Sequence, residues 1–332
     1  MTGFRSLITR TTKEIYSNNK NLFIWKPLRF LARSYRASSL KRLSLNAIMF
    51  IRIMKLQISF KKVLKIKCFE CNPVAKTEVH SLVCHRHLNM YITAIKSFLR
   101  FYSNLAVILH DDGSLTNNDK ALLERHVKGI HIISKEVADE KIFTMLQKYP
   151  NCRKYRKDHF VSLQLFDFSL LSNTGKIIAM DSDVLFFQYP TRLIDWIQNN
   201  TKEIIHYVEE SPARQKEFLL SFGNTNYTPN FSFGFACFYK EIFDLKTIEF
   251  VLSKINVVNW VLNQNIFAIL MNNMAHEYPR NELDKNTYQD RKDFKDGKIF
   301  RHYQSSVLFN APSHSYLLNT YREDTKNVLS EI

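Results

Sequence analysis

Between residues 79 and 187, short apolar runs alternate with longer amphipathic segments, and this alternation restricts the chain to one fold class. Val79–Cys84, Leu105–Leu109, Ile130–Ile133 and Lys176–Met180 are runs of four to six residues bounded by polar or turn-forming residues. Runs of that length and bounding mark strands buried on both faces. Between them, Met90–Tyr102 places Ile92, Ile95, Phe98 and Leu99 on one helical face. Asn118–His126 follows the capping hydroxyls of Ser114 and Thr116 and stops before Gly129, and Asp158–Ser172 predicts a third helix. Strand–helix–strand units in this order predict a doubly wound, mostly parallel α/β sheet with helices on both faces. Further on, Glu203–Val208 and Phe231–Tyr239 read as strands and Val257–Asn272 as an amphipathic helix. No dinucleotide fingerprint or P-loop occurs, and 7 glycines in 332 residues leave little material for one.

In such sheets ligands bind beyond the carboxyl ends of the strands. Three polar clusters fall there: Cys84–His87, His110–Asp112 and Asp181–Asp183. The last is the most informative. Lys176–Met180 and Val184–Phe187 read together as a buried strand about to end, so Asp181 and Asp183, two residues apart, point the same way along a pleated backbone. Nothing apolar nearby can neutralise them. A divalent cation with oxygen ligands can, which predicts a metal-dependent enzyme acting on a phosphate or nucleotide. His110-Asp111-Asp112 reads instead as a solvated turn.

Charge is unevenly placed. Residues 1–67 hold 16 Lys and Arg against one acid, Glu14, whereas the rest of the chain holds 31 basic and 30 acidic residues. The basic segment interleaves Trp25, Phe30, Tyr35, Ile48 and Ile51 with Arg29, Arg33, Arg36, Lys41, Arg42 and Arg52. That mixture suits helices lying in an anionic membrane interface. Its apolar stretch, Leu43–Met54, contains Arg52 and is too short to span a bilayer, and no clean apolar core follows the charged start as a secretory signal requires. A packed extension or a nucleic-acid arm are the other readings, nucleic acid the weakest. The expected division is therefore 1–67 as a basic amphipathic extension and 68–332 as the catalytic domain. Cys68, Cys71, Cys84, Cys152 and Cys237 show no disulfide-rich spacing, which fits a reducing cytoplasm. Cys68, Cys71 and Cys84 with a following histidine are a lesser zinc alternative.

The order of an Asp-x-Asp strand end, the small-residue strand Asn230–Phe235, the Gln-bearing helix at Asn263-Gln264 and the late Arg301-His302-Tyr303 resembles the GT-A-fold glycosyltransferases. Within these it is similar to the retaining family of bacterial lipopolysaccharide galactosyltransferases and glycogenin, over roughly residues 78–310. The resemblance implies His85 and Arg86 near the nucleotide. It implies Asp181, Asp183 and His302 as ligands of Mn²⁺ or Mg²⁺, with Asp181 and Ser182 also contacting the donor. Asn230, Ser232 and Asn263 would bind the donor sugar, and Gln264 would join Asp181 and Asp183 in catalysis. It further implies a nucleotide-sugar donor, UDP-linked, and a lipid-linked or cell-surface glycan acceptor. With the basic arm, it implies a peripheral place on the inner face of the cytoplasmic membrane. The chain departs from the family pattern at Ser162 and Gln164, where Arg and Lys are usual, at Asn263, where an acid is usual, and at Gln304-Ser305 after the His-Tyr pair. Arg153, Arg156 and Arg301 are candidates to supply the missing positive charge. Glu209 and Glu210 are candidate bases if the reaction inverts configuration.

Two other readings stand beside this one. Ile177–Leu185 matches the nucleophile strand of haloacid-dehalogenase-type phosphatases, with Asp181 attacking phosphorus and Asp183 protonating the leaving group. The departures also permit a catalytically inactive membrane-surface scaffold.

Overall fold

A computed structural model describes residues 40–199, 202–208, 218, 227–255, 262–272, 274–277, 283–284, 298–303 and 316–331. Helix α1 (Leu40–Val63) leads to the short strand β1 (Phe69–Glu70) and then to β2 (Glu78–Val83). A 3₁₀ turn at His85–His87 opens α2 (Leu88–Leu99), which is buried along nearly its whole length. The chain continues through β3 (Ala106–Asp111), α3 (Asn117–His126), β4 (Val127–Lys128) and β5 (His131–Ile133). Thr116 starts α3 with a reciprocal capping box, its hydroxyl accepting from Asp119 N while the Asp119 carboxylate accepts from Thr116 N. Three helices follow, α4 (Lys135–Met145), α5 (Pro150–Asp158) and α6 (Ser162–Leu170), before β6 (Lys176–Met180) and β7 (Val184–Phe186).

Beyond these lie α7 (Thr191–Gln198), β8 (Ile204–Val208), β9 (Phe231–Tyr239), α8 (Leu245–Ser253) and α9 (Leu262–Met271). The described chain ends with β10 (Ala275–Glu277), β11 (Leu283–Asp284), β12 (Phe300–His302) and α10 (Tyr316–Ser330).

The main sheet has seven strands in the order β10-β8-β9-β6-β2-β3-β5, and β9 is the one strand running against its neighbours. This is the expected doubly wound, mostly parallel α/β architecture. Alternation along the strands divides the core in two. Ile178, Met180, Phe235 and Cys237 face α2 and α7, while Ile177, Ala179, Ala236 and Phe238 face α5, α6, α8 and α9. Helices therefore cover both faces, as sheets whose strands are buried on both sides require.

Two expectations need correction. Lys176–Phe187 is not one strand: β6 ends at Met180, and β7 belongs to a separate three-stranded sheet in the order β11-β12-β7. The intervening Asp181–Asp183 turn steps the chain from one sheet to the other. Likewise the helix expected near Asp158–Ser172 is present as α6 but starts only at Ser162, because Asp158 ends α5. Arg156 and Asp167 form a buried two-pronged ion pair, with N–O distances of 2.9 and 3.0 Å, that folds α5 back on α6 around His159–Val161.

Of the basic segment, residues 1–39 lie outside the described residues. Residues 40–63 form α1, which buries Met49, Leu56, Phe60 and Val63 in the same core as α2 and the Tyr321 ring of α10. Among the described residues no helix is long and apolar enough to cross a membrane.

Candidate functional site

The turn after β6 and the end of β12 bring three potential ligands together from positions 119 to 121 residues apart in sequence. Donor atoms of Asp181, Asp183 and His302 lie within 4.8 Å of one another, the one such group of three or more His, Cys, Asp or Glu among the described residues. β12 pairs antiparallel with β7 so that His302 stands opposite Val184, and Tyr303 N donates to Asp183 O at 3.0 Å. Arg301 and Tyr303, on either side of the histidine, are both held by the buried Asp324 carboxylate of α10. The strand carrying His302 is thereby clamped on both flanks.

Gly234, in the middle of β9, completes the geometry from the other side. Its carbonyl accepts from Asp181 N at 2.9 Å, which fixes the start of the acidic turn. A Cβ at that position would lie 2.3 Å from His302 Cε1 and 2.6 Å from Nδ1, so the imidazole occupies the space a side chain would fill. Nothing in the local pattern of Phe231–Tyr239 marks this glycine as different from one that merely fits a crowded strand.

Electrostatics follow from burial. Asp183 and His302 are nearly inaccessible, while about a third of the Asp181 side chain reaches solvent. Desolvation raises the Asp181 carboxyl above its ordinary range, against the His302 hydrogen bond that favours its charge. Burial disfavours a charged His302, but the two carboxylates, 3.2 and 3.5 Å from its Nε2, outweigh it and push the imidazole up to about 10. The pair of acids demands positive charge at this point. A protonated imidazole supplies one; a divalent ion bound by both carboxylates and a neutral imidazole would supply more. The donor set, the close spacing and the Gly234 recess all fit such an ion.

Beside the cluster opens a cavity of about 320 Å³, at the small end of the range for ligand sites. Asp181, Ser182 and Asp183 line it together with Cys84, Arg86, His87 and Asp112 from the ends of β2 and β3, and Phe160, Val161 and Gln164 from the α5–α6 turn and α6. The cavity therefore lies beyond the carboxyl ends of parallel strands, where the fold predicts a ligand. Gln164 Nε2 donates to Asp181 Oδ1 at 2.9 Å and aims that carboxylate.

Of the residues singled out in the sequence, Arg86, Asp181, Ser182 and Asp183 border the cavity and His302 stands behind it. His85 turns away from the cavity: its Nδ1 lies 2.7 Å from Asp119 Oδ2, tying the β2 loop to the cap of α3. Asn230, at the start of β9, adopts a left-handed φ of +54°, and Ser232 is buried in the strand, accepting from Gly234 N at 3.4 Å. Asn263 is buried, accepting from Tyr155 Oη at 2.8 Å and donating to Val161 O, so it braces the cavity wall from behind. Gln264 is half-buried on α9.

The arginines proposed to replace missing charge do not reach the cavity wall. Arg156 is consumed by Asp167 and Asp139, Arg301 by Asp324, and Arg153 donates to Phe143 O. Ser162 donates to His159 O at 2.5 Å, closing the turn into α6. Glu209, Glu210, Gln304 and Ser305 lie outside the described residues. Cys71 donates to Lys128 O rather than joining a zinc cluster. His87 and Asp112 also line the cavity; the sequence placed both at strand ends, but Asp112 read as part of a solvated turn and His87 was given no role.

No family model and no curated protein sequence matches this chain. Solved structures of glycosyltransferases resemble it. Mouse xyloside xylosyltransferase 1 aligns at 13% identity and a TM-score of 0.45, over 68% of this chain and 96% of its own. The galactosyltransferase LgtC, in complex with donor and acceptor sugar analogues, aligns at 12% identity and a TM-score of 0.46, over 73% and 95%. Core-mannan synthase A of Aspergillus fumigatus, in an Mn/GDP form, aligns at 13% identity and a TM-score of 0.40, over 61% and 73%. What the site can do chemically is set by its own side chains.

Proposed function

We propose that this protein is a divalent-metal-dependent glycosyltransferase, taking a UDP-linked sugar as donor and a lipid-linked or cell-surface glycan as acceptor. The observation that carries this reading is the placement of His302 against Asp181 and Asp183 at the edge of a strand-end cavity. Glycosyl transfer leaves a nucleoside diphosphate with growing negative charge, and Mn²⁺ or Mg²⁺ at these three residues would neutralise it without a proton donor. The chain's own residues set the stage for that step. Asp183 and His302 are buried, while Asp181, aimed by Gln164, reaches the cavity. Arg86 and Ser182 line the space where the donor would lie. Asn230, Ser232 and Gln264 would bind the sugar from β9 and α9, while Asn263 would act indirectly by holding Val161 in the cavity wall and His85 by holding the loop that carries Arg86.

A phosphatase reading is less well served. It requires Asp181 as a free nucleophile and Asp183 as a proton donor, yet both face the same imidazole, as ligands would. Calorimetric titration of UDP, GDP and CDP, with and without Mn²⁺, tests the proposal. Metal-dependent binding of UDP is expected. Binding of none of the three, together with release of phosphate from simple esters, would replace the transferase with the phosphatase.

A further inference from the structure

Helix α1 has two apolar faces, and among the described residues only one of them is packed into the core. The inner face packs Met49, Leu56, Phe60 and Val63 into the core. On the opposite side Ile48, Ile51, Met54 and Ile58 remain 41, 51, 38 and 59% exposed. These positions share a stripe with Lys55 and Lys62, both exposed, at spacings that keep one side of a helix over about 15 Å or more. The whole of α1 carries Lys41, Arg42, Arg52, Lys55, Lys61 and Lys62 and no acid. A soluble surface helix ordinarily places polar residues where this one places isoleucines.

We infer that the outer stripe of α1 docks on an anionic lipid surface, its isoleucines entering the interface while its lysines meet lipid phosphates. Charge complementarity selects this occupant: an acid-free helix favours a negative partner, and the aliphatic ridge favours one with an apolar layer beneath the charge. A nucleic-acid backbone would use the lysines but give Ile51 and Ile58 nothing to bury against. The helix is too charged to span a bilayer and would lie along its surface.

The docking helix is also packed, ring against ring, toward the candidate site. Phe60 meets Tyr321 edge-on at 6.2 Å, Tyr321 meets Tyr303 at 4.7 Å, and Tyr303 adjoins His302. Docking through α1 would thus fix the orientation of the cavity to the membrane, rather than tether it loosely. The inference does not depend on the transferase reading, because lipid binding requires neither donor nor metal.

The test is sedimentation of the full chain with phosphatidylglycerol-containing vesicles and with pure phosphatidylcholine vesicles. Binding is expected to the anionic vesicles only. Ile51→Ser with Ile58→Ser is expected to weaken it about tenfold, since each side chain is half-exposed at the start. Lys55→Gln with Lys62→Gln is expected to weaken it by a similar factor at low salt. The thermal unfolding midpoint, checked in parallel, should stay unchanged because these side chains point outward. Vesicle binding by the double isoleucine variant equal to that of the unaltered chain would overturn the inference. So would salt-sensitive binding of an oligonucleotide without binding of vesicles, or a dimer that the isoleucine substitutions dissociate.

Discussion

Gly234→Ala adds one methyl group to β9, and its effect can be worked out from the position of the His302 ring. The new Cβ would sit 2.3, 2.6 and 2.8 Å from Cε1, Nδ1 and Nε2. Carbon atoms in contact settle at about 3.5 Å, so the ring must retreat by roughly 1.2 Å. A metal–ligand distance tolerates about 0.2 Å. The ring has nowhere near to go: Tyr207 packs edge-on against it at 5.5 Å, and the Arg301 and Tyr303 clamps on Asp324 hold the strand. Strand backbone itself accepts alanine at this position, since Gly234 is not among the positive-φ glycines. The cost is therefore steric, about 1–3 kcal/mol of stability as an overpacked core site. Mn²⁺ affinity should fall at least tenfold, the smaller end of what displaced ligand geometry costs. Calorimetry of Mn²⁺ binding beside a thermal melt reads both. In a double-mutant cycle His302→Ala should cost little further metal affinity once Gly234→Ala is present, because both remove the same ligand. Unchanged Mn²⁺ affinity in a folded Gly234→Ala protein would refute the reasoning, and with it the assignment of His302 to the metal.

Asp183→Asn should abolish metal-dependent nucleotide binding while leaving the melt cooperative, read by calorimetry; retained binding would remove Asp183 from the ligand set. Gln164→Ala should loosen Asp181 and lower donor affinity by about tenfold with little change in stability, and an unchanged dissociation constant would show that Asp181 is aimed by other groups. Glu78 is held at about 2, burial being outweighed by hydrogen bonds from His80, Ser172 and Asn173 N. Its folded value lies below its unfolded one, so its contribution, on the order of 3 kcal/mol, is present above about pH 4.5 and lost as pH falls toward 2. Acid unfolding of Glu78→Gln should consequently be less steep across that window than that of the unaltered chain, and identical acid limbs would exclude Glu78 as a source of acid sensitivity.

Local pattern was enough for the central strands of the main sheet. Phe231–Tyr239 and Lys176–Met180 occupy the positions their apolar runs predicted, because a strand buried on both faces is apolar at nearly every residue. The parallel sheet followed from the order of those runs and the helices between them, and Asp181 and Asp183 were legible because charge at the end of such a run has to be compensated. Local pattern failed where a choice was made at a distance. The break between α5 and α6 depends on Arg156 reaching Asp167, and no periodicity in residues 158–172 records it. Nor does local pattern record that the His85 ring meets Asp119, 34 positions away.

The sequence by itself determined that two strand-end carboxylates would need a cation, and that the cationic N-terminal stretch would be chemically unlike the rest of the chain. The tertiary structure brought His302 to those carboxylates, as the family resemblance implied, and only the structure decided that Gly234 would make room for it. It also decided that α1 would bury one apolar face and leave the other exposed. Periodicity encodes which face of an element is apolar, because neighbours in sequence share an element. It cannot encode which two elements meet, since Gly234 and His302 touch across 68 residues through packing alone.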